Sequence, residues 1–272
     1  MINEFITYIS SIKGYSPLTA SAYRRDLQEF AQFIRHEYPG IRWSTITRDM
    51  IDHYILTLVA YGEQPTTTNR KLAAISSIYR YFIRQRMLTE NPAQYESRRK
   101  VGEKIPNTID PKQLRTAYEH ASGSTRVILG LLITTGIRIS ELLAINWEDI
   151  NLDDCSIKIH GKGMKERIVY TKAEQLDEIK RVVERSHPTG RIFNYSQYET
   201  RRHIYDALLP YCKAPQLSPH AIRHTFATEL AKAGANAPTI ARILGHNNIK
   251  TTQQYIDNTS IDTKSCHNII NL

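Results

Sequence analysis

The chain of 272 residues has no apolar run of ~18 residues, the length a helix needs to cross a bilayer, so no membrane-spanning helix is expected. Its first residues, MINEFITYIS, lack the basic start and apolar stretch of a signal peptide, and a soluble cytoplasmic protein is expected. Cysteine is scarce. Cys155, Cys212 and Cys266 are odd in number and far apart, which argues against a disulfide framework and against a zinc site and leaves three buried or idle thiols. No cluster of acidic residues suits a metal ion, and no metal or other cofactor is expected. Negative charge is in deficit too: 27 Asp and Glu face 36 Lys and Arg, a net charge of +9 that points to a polyanionic partner. Clustered cations gain free energy by releasing condensed counterions from nucleic acid.

Helical periodicity fills the first third. Ile2, Phe5, Ile6 and Ile9 keep one face up to Gly14, and Ser16-Pro17 then supplies an N-cap and a first-turn proline. The next face runs through Tyr23, Leu27, Phe30 and Ile34 and stops at Pro39-Gly40. Thr47 caps a third helix with Ile51, Ile55 and Leu58, and a fourth starts near Pro65 and carries Leu72, Ile75, Tyr79 and Phe82. Four amphipathic helices with short connections can close on one core, so residues 1–96 are read as a helical domain. Thr66, Thr68, Asn69, Arg70 and Lys71 crowd polar donors into the start of the fourth helix, which suits phosphate and base-edge contacts and equally suits an ordinary exposed helix start.

From Ser97 the apolar pattern lapses into SRRKVGEKIPNTIDP, and residues 97–110 are read as a basic interdomain linker. Its Arg98, Arg99 and Lys100 are either a solvated charge run or phosphate contacts. Residues 111–272 form the second domain in this reading.

There, helical patterns span Leu114–His120 and Val127–Thr135, and Gly136 breaks the second just before Arg138. Ser140 to Ile145 is expected to be helical, which places Arg138 at a buried helix start with Glu141 within ion-pair reach. At residues 155–171 the period changes to 2: Ile157 and Ile159, then Gly161-Lys162-Gly163, then Arg167 to Tyr170, a hairpin or small sheet with a basic tip. Lys162, Lys165 and Arg167 there suit a sugar-phosphate backbone, and the glycine pattern is not that of a nucleotide-binding P-loop. A helix follows near Ala173–Ser186. Ser218-Pro219 opens another, with His220 and Arg223 three apart on one face, and His224 is read as a structural or surface histidine on a different side. Pro238 to Leu244 forms a short helix ended by Gly245, and His246 precedes a last helix start leading to Tyr255.

Four segments, TTGIRISELLAI (134–145), GKGMKER (161–167), HAIRHTFAT (220–228) and LGHNNIKTTQQY (244–255), resemble in order and spacing the signature segments of the tyrosine recombinases, the integrase family that includes the Xer proteins. The resemblance implies a mainly α protein with a small β-sheet: an N-terminal four-helix, SAM-like core-binding domain and a C-terminal mixed α/β catalytic domain. It carries Arg138, Lys162, His220, Arg223, His246 and Tyr255 over as the active-site set, with Glu141 as a supporting acid. Ile256-Asp257 departs from the more usual threonine-histidine type of ending after the tyrosine.

The residue types suit phosphoryl transfer. A tyrosine with pKa about 10 needs a base or nearby positive charge before its oxygen attacks, and two arginines can hold the non-bridging oxygens of a pentacoordinate phosphorus without a metal ion. In this reading His246 adds a hydrogen bond to the phosphoryl group, His220 serves proton transfer near the nucleophile, and Lys162 protonates the leaving 5′-oxygen. The product is a 3′-phosphotyrosyl intermediate that conserves bond energy, so no ATP is required. The resemblance further implies paired sites on double-stranded DNA, a Holliday junction, and a homotetramer, or a heterotetramer with a paralogue, on synapsed DNA, with a monomer or weak oligomer otherwise. Association with the nucleoid is expected, and the apolar Ile269, Ile270 and Leu272 are candidates for docking on a neighbouring protomer or on their own domain. A non-catalytic DNA-binding protein and a type IB topoisomerase-like enzyme are the alternatives. Loss of a covalent DNA complex in Tyr255→Phe separates the first, and relaxation of plasmid lacking any special site separates the second.

Overall fold

The computed structural model describes residues 1–94, 99, 106–161, 166–184, 190–246 and 250–257. Two compact units divide the chain, Met1–Glu103 and Lys104–Leu272. Among the described residues no helix is long and apolar enough to cross a membrane.

The first unit is helical: α1 (Ile2–Ser11), α2 (Pro17–Glu37), α3 (Arg48–Ala60) and α4 (Pro65–Arg84). Ser16 and Thr47 accept hydrogen bonds from Thr19 N and Met50 N, capping α2 and α3 where short polar side chains replace the missing intrahelical acceptors. One core gathers the faces of all four helices around Phe5, Ile9, Leu27, Phe30, Ile51, Tyr54, Ile75, Tyr79 and Phe82. Each such fully buried side chain contributes about 1.5–3 kcal/mol relative to exposure.

The polar start of α4 departs from the expected DNA-contacting row. Thr68 is buried and donates to Gln64 O, and Lys71, 4% exposed, is an inward-facing cation paired with Glu29 and Glu63. Arg70 pairs with Asp26, while Asn69 exchanges hydrogen bonds with the backbone of Arg99. Arg99 also donates to Glu63 O. Thr68, Asn69 and Lys71 thus help build the unit, whereas Thr66 is exposed and the side chain of Arg70, although paired with Asp26, remains 40% exposed. Burying Lys71 is tolerable only because two carboxylates meet it. Arg98 and Lys100 lie outside the described residues, as does most of the expected linker.

The second unit begins with α5 (Pro111–His120) and α6 (Gly123–Thr135), the latter buried along most of its length from Val127 to Leu132. Next come α7 (Ile139–Leu142), β1 (Ile150–Asn151), β2 (Ser156–His160) and β3 (Glu166–Tyr170), then α8 (Ala173–Glu184), α9 (Gln197–Leu208), α10 (Pro219–Lys232), α11 (Ala237–Leu244) and α12 (Lys250–Asp257). The three strands form an antiparallel sheet in sequence order, with Ile157 opposite Val169 and Ile159 opposite Arg167. Helix α7 lasts a single turn instead of running to Ile145, because the chain there leaves to pair with a distant segment: Ile192 N donates to Ile145 O and Trp147 N to Gly190 O. The α9 helix, capped by Ser196 and Glu199, was not anticipated by the apolar pattern. Cys155 and Cys212 are free thiols.

Candidate active site

Three helix ends deliver the site. Helix α6 stops at Gly136, whose φ of +61° is the left-handed conformation that glycine adopts without Cβ strain. The chain then turns directly into Arg138, the residue that opens α7. Helix α11 stops in the same way at Gly245, φ +65°, and releases His246. Between them runs α10, which presents His220, Arg223 and His224 from its first two turns.

The last carbonyls of a helix have no intrahelical donor and carry the negative end of its dipole. Here arginines occupy them. Arg223 donates to Gly136 O and Leu244 O, each at 2.7 Å, and is 2% exposed. Arg138 donates to Gly245 O at 3.2 Å and approaches Leu244 O at 3.5 Å. Arg167 donates to Ile243 O at 2.8 Å. Two guanidinium groups therefore share the Leu244 carbonyl, and burial together with the charge of Arg138 pulls the Arg223 pKa down to about 10.

Glu141 holds this assembly. One oxygen accepts from the backbone N–H of Arg138 at 2.8 Å and from Arg167 at 2.8 Å, the other from Arg138 Nη1 at 2.8 Å and Arg167 Nη1 at 3.1 Å. Burial alone would raise its pKa, but the hydrogen bonds from Arg167 and Arg138 outweigh it and leave the value at about 2. Arg167, expected among the DNA-facing residues of the hairpin, points inward with a 13% exposed side chain. Its guanidinium is held by Glu141 and the Ile243 carbonyl, both part of the site.

Tyr255 packs on the inner face of α12 against Ala227, Ala231, Ile240 and Leu244 and is 2% exposed. Its hydroxyl lies 2.7 Å from His224 Nδ1. This corrects the expectation that His224 stands apart: four residues after His220, it shares the α10 face with it, and the two rings meet edge to face at 4.6 Å. That spacing was the available signal. His246 stacks near Tyr255 at 6.5 Å between centroids and hydrogen-bonds Thr252 through Nδ1. Burial, then the nearby arginines, push the His246 pKa down to about 4; burial, then His220 and Arg223, do the same for His224, also to about 4. The solvent-accessible His220 is lowered as well, by partial burial of its ring and by Arg223 and Arg138. At pH 7 the site thus combines fixed arginine charge with neutral imidazoles, a setting for an anion and for proton transfer.

The structure brings Arg138, Glu141, His220, Arg223, His246 and Tyr255 into one neighbourhood. Lys162 and Lys165 fall in the connection between β2 and β3, outside the described residues, as do Ile269, Ile270 and Leu272.

A profile of the Phage integrase family matches residues 107–260, and one of the phage integrase N-terminal SAM-like domain matches residues 2–86. The chain is 31% identical over 285 residues to the tyrosine recombinase XerC of Listeria innocua serovar 6a, spanning 97% of this chain and 95% of that protein. With the tyrosine recombinase XerC of Pelobacter propionicus the identity is 33%, over 93% of this chain and 89% of that one. Among solved structures, the fold resembles the XerH site-specific recombinase bound to a palindromic difH substrate in a post-cleavage complex, with a TM-score of 0.74 and 20% identity over 99% of this chain and 84% of that chain. It also resembles a lambda integrase dimer bound to a COC′ core site, with a TM-score of 0.72 and 17% identity over 96% and 95% of the two chains.

Proposed function

Because this chain belongs to the phage integrase family and is a Xer-like tyrosine recombinase, a site-specific DNA recombinase, we propose that it cuts and rejoins DNA strands through a 3′-phosphotyrosyl intermediate. The observation that carries this reading is the pair of guanidinium groups meeting at the Leu244 carbonyl, with Tyr255 packed against the same Leu244. Carbonyl oxygens leave the positive charge of Arg223 unneutralised. A phosphodiester bound beside the two guanidinium groups would take their remaining N–H donors on its non-bridging oxygens, and such donors stabilise the extra charge of a pentacoordinate phosphorus.

In this reading Tyr255 attacks phosphorus, Arg138 and Arg223 hold the non-bridging oxygens, and His246 adds a further hydrogen bond. His220 serves proton transfer at the site, and Lys162 protonates the leaving 5′-oxygen. Glu141 fixes Arg138 by taking both its backbone N–H and its side chain. Another 5′-hydroxyl then attacks the phosphotyrosine and reseals the strand. Two DNA sites held by four protomers, all of this chain or shared with a paralogue, exchange first one strand pair and then the other through a Holliday junction. Ile269, Ile270 and Leu272 of each protomer dock on a neighbour, and deleting residues 259–272 is expected to abolish synapsis while sparing binding to a single site.

A nicked suicide substrate tests the chemistry. Wild-type protein is expected to trap a covalent complex and Tyr255→Phe to trap none. Arg138→Ala and Arg223→Ala are each expected to slow trapping by about 100-fold or more although the tyrosine remains. Undiminished trapping in either arginine variant sinks the assignment.

A further inference from the structure

Of the three histidines near the tyrosine, the one in hydrogen-bond contact with its hydroxyl is His224, which the reading above leaves without a task. We propose that His224 is a catalytic residue: it orients the Tyr255 hydroxyl through Nδ1 and takes its proton as the phenolic oxygen attacks phosphorus. The inference rests on Tyr255 being the nucleophile.

The geometry supports it in three ways. The O···N distance of 2.7 Å is that of a formed hydrogen bond, and general bases must stand within about 2.6–3.2 Å of the atom whose proton they take. Both partners are held: Tyr255 is locked in a small core with Ala227, Ala231, Ile240 and Leu244, and His224 lies in the second turn of a fourteen-residue helix capped by Ser218. The rotation that would take the hydroxyl away from Nδ1 is therefore restricted by packing. Finally, the His220 ring meets His224 edge to face at 4.6 Å, so the outer histidine is placed to serve proton transfer between His224 and solvent, one step removed from the hydroxyl itself.

The step balances. The phenolic O–P bond forms, the bond from phosphorus to the 5′-oxygen breaks, the Tyr255 proton passes to His224 Nδ1, and the 5′-oxygen leaves with a proton from the leaving-group acid. For Nδ1 to accept, the ring must be neutral with its proton on Nε2. Burial, His220 and Arg223 keep it neutral at pH 7. A phosphodiester brought in by Arg138 and Arg223 carries a negative charge, which favours the imidazolium in the step where it forms.

Two substitutions separate the parts of this role. Asparagine places an acceptor oxygen near the Nδ1 position but takes no proton, and leucine offers neither. With the full-length protein and the nicked suicide substrate, His224→Leu is expected to slow covalent trapping by about 100-fold or more. His224→Asn is expected to fall between leucine and wild type, a rescue that packing alone does not predict. Affinity for the same DNA by gel shift should stay within a few-fold in both, since the residue is assigned to the chemical step. Trapping by His224→Leu at the wild-type rate, or faster, with Tyr255→Phe inactive, overturns the role of His224 alone. Trapping that persists in Tyr255→Phe overturns the nucleophile on which it rests.

Discussion

Glu141 carries more of the site than a single supporting carboxylate would. At 5% exposure it faces two arginines, and its folded pKa of about 2 lies below the ordinary 4.5. A depressed carboxylate pKa stabilises the fold fully above the unfolded value, and the stabilisation is lost as pH falls through the folded one. The loss should therefore run between about pH 4.5 and 2. Glu141→Gln leaves two guanidinium groups without their counter-charge and is expected to cost about 3 kcal/mol at pH 7. It should also flatten the pH dependence of unfolding in that window. Urea titrations of both proteins at pH 7 and pH 3 check this, and an identical pH response in wild type and variant would contradict it. The Arg138–Glu141 pair was legible because residues three apart on a helix face each other. The same rule, applied one step further, relates His220 to His224, and the contact with Tyr255 follows only from the meeting of α10 and α12, which no local pattern shows.

At the scale of elements, the helix ends were the most readable features. Ser16-Pro17, Thr47 and Ser218-Pro219 open helices and Gly136 and Gly245 close them, because caps and left-handed stops are properties of one or two residues. Strand β3 shows where this fails. Arg167, Ile168 and Val169 contain two apolar residues in succession, so alternation alone does not say which face is inner; Val169 turns in, and Arg167 shares its face. The abrupt end of α7 was hidden for a similar reason, since Ile145 pairs with Ile192. Two predictions belong to this scale. Arg167→Ala is expected to slow covalent trapping while leaving the slope of DNA affinity against salt unchanged, and Arg167→Lys, lacking the two-pronged fork, should not restore it. A slope reduced by about 1 would mean that Arg167 touches phosphate after all. A methyl group at Gly136 would meet the Phe226 ring at 2.3 Å in a left-handed backbone, whereas Gly62, φ +78°, has no atom within 4 Å of that position. Gly62→Ala should cost only the backbone strain of about 1 kcal/mol, and Gly136→Ala clearly more, with Arg223 losing its seat. Equal falls in melting temperature would refute the difference.

The whole molecule keeps its two larger cores apart in sequence: one uses residues between Phe5 and Ala93, the other residues between Ile109 and Ile222, and the small core around Tyr255 follows the second. Each of these cores is assembled within one of the two compact units, so fragments 1–103 and 104–272 are each expected to unfold cooperatively in urea. A non-cooperative transition in the first fragment would show that its helices need the rest of the chain. The site itself has no such independence, because Arg138, Arg167 and Arg223 converge on the consecutive carbonyls of Ile243, Leu244 and Gly245. That convergence sets an order of manufacture. On the ribosome the 106 residues separating Arg138 from Leu244 take about 5–20 s to add, and Tyr255 comes later still. An interrupted polypeptide carries the N-terminal helices and the first arginines but neither their acceptors nor the proposed nucleophile. On the proposed mechanism, only a chain translated to its last helices carries the residues that break a strand, and the same residues serve to rejoin it.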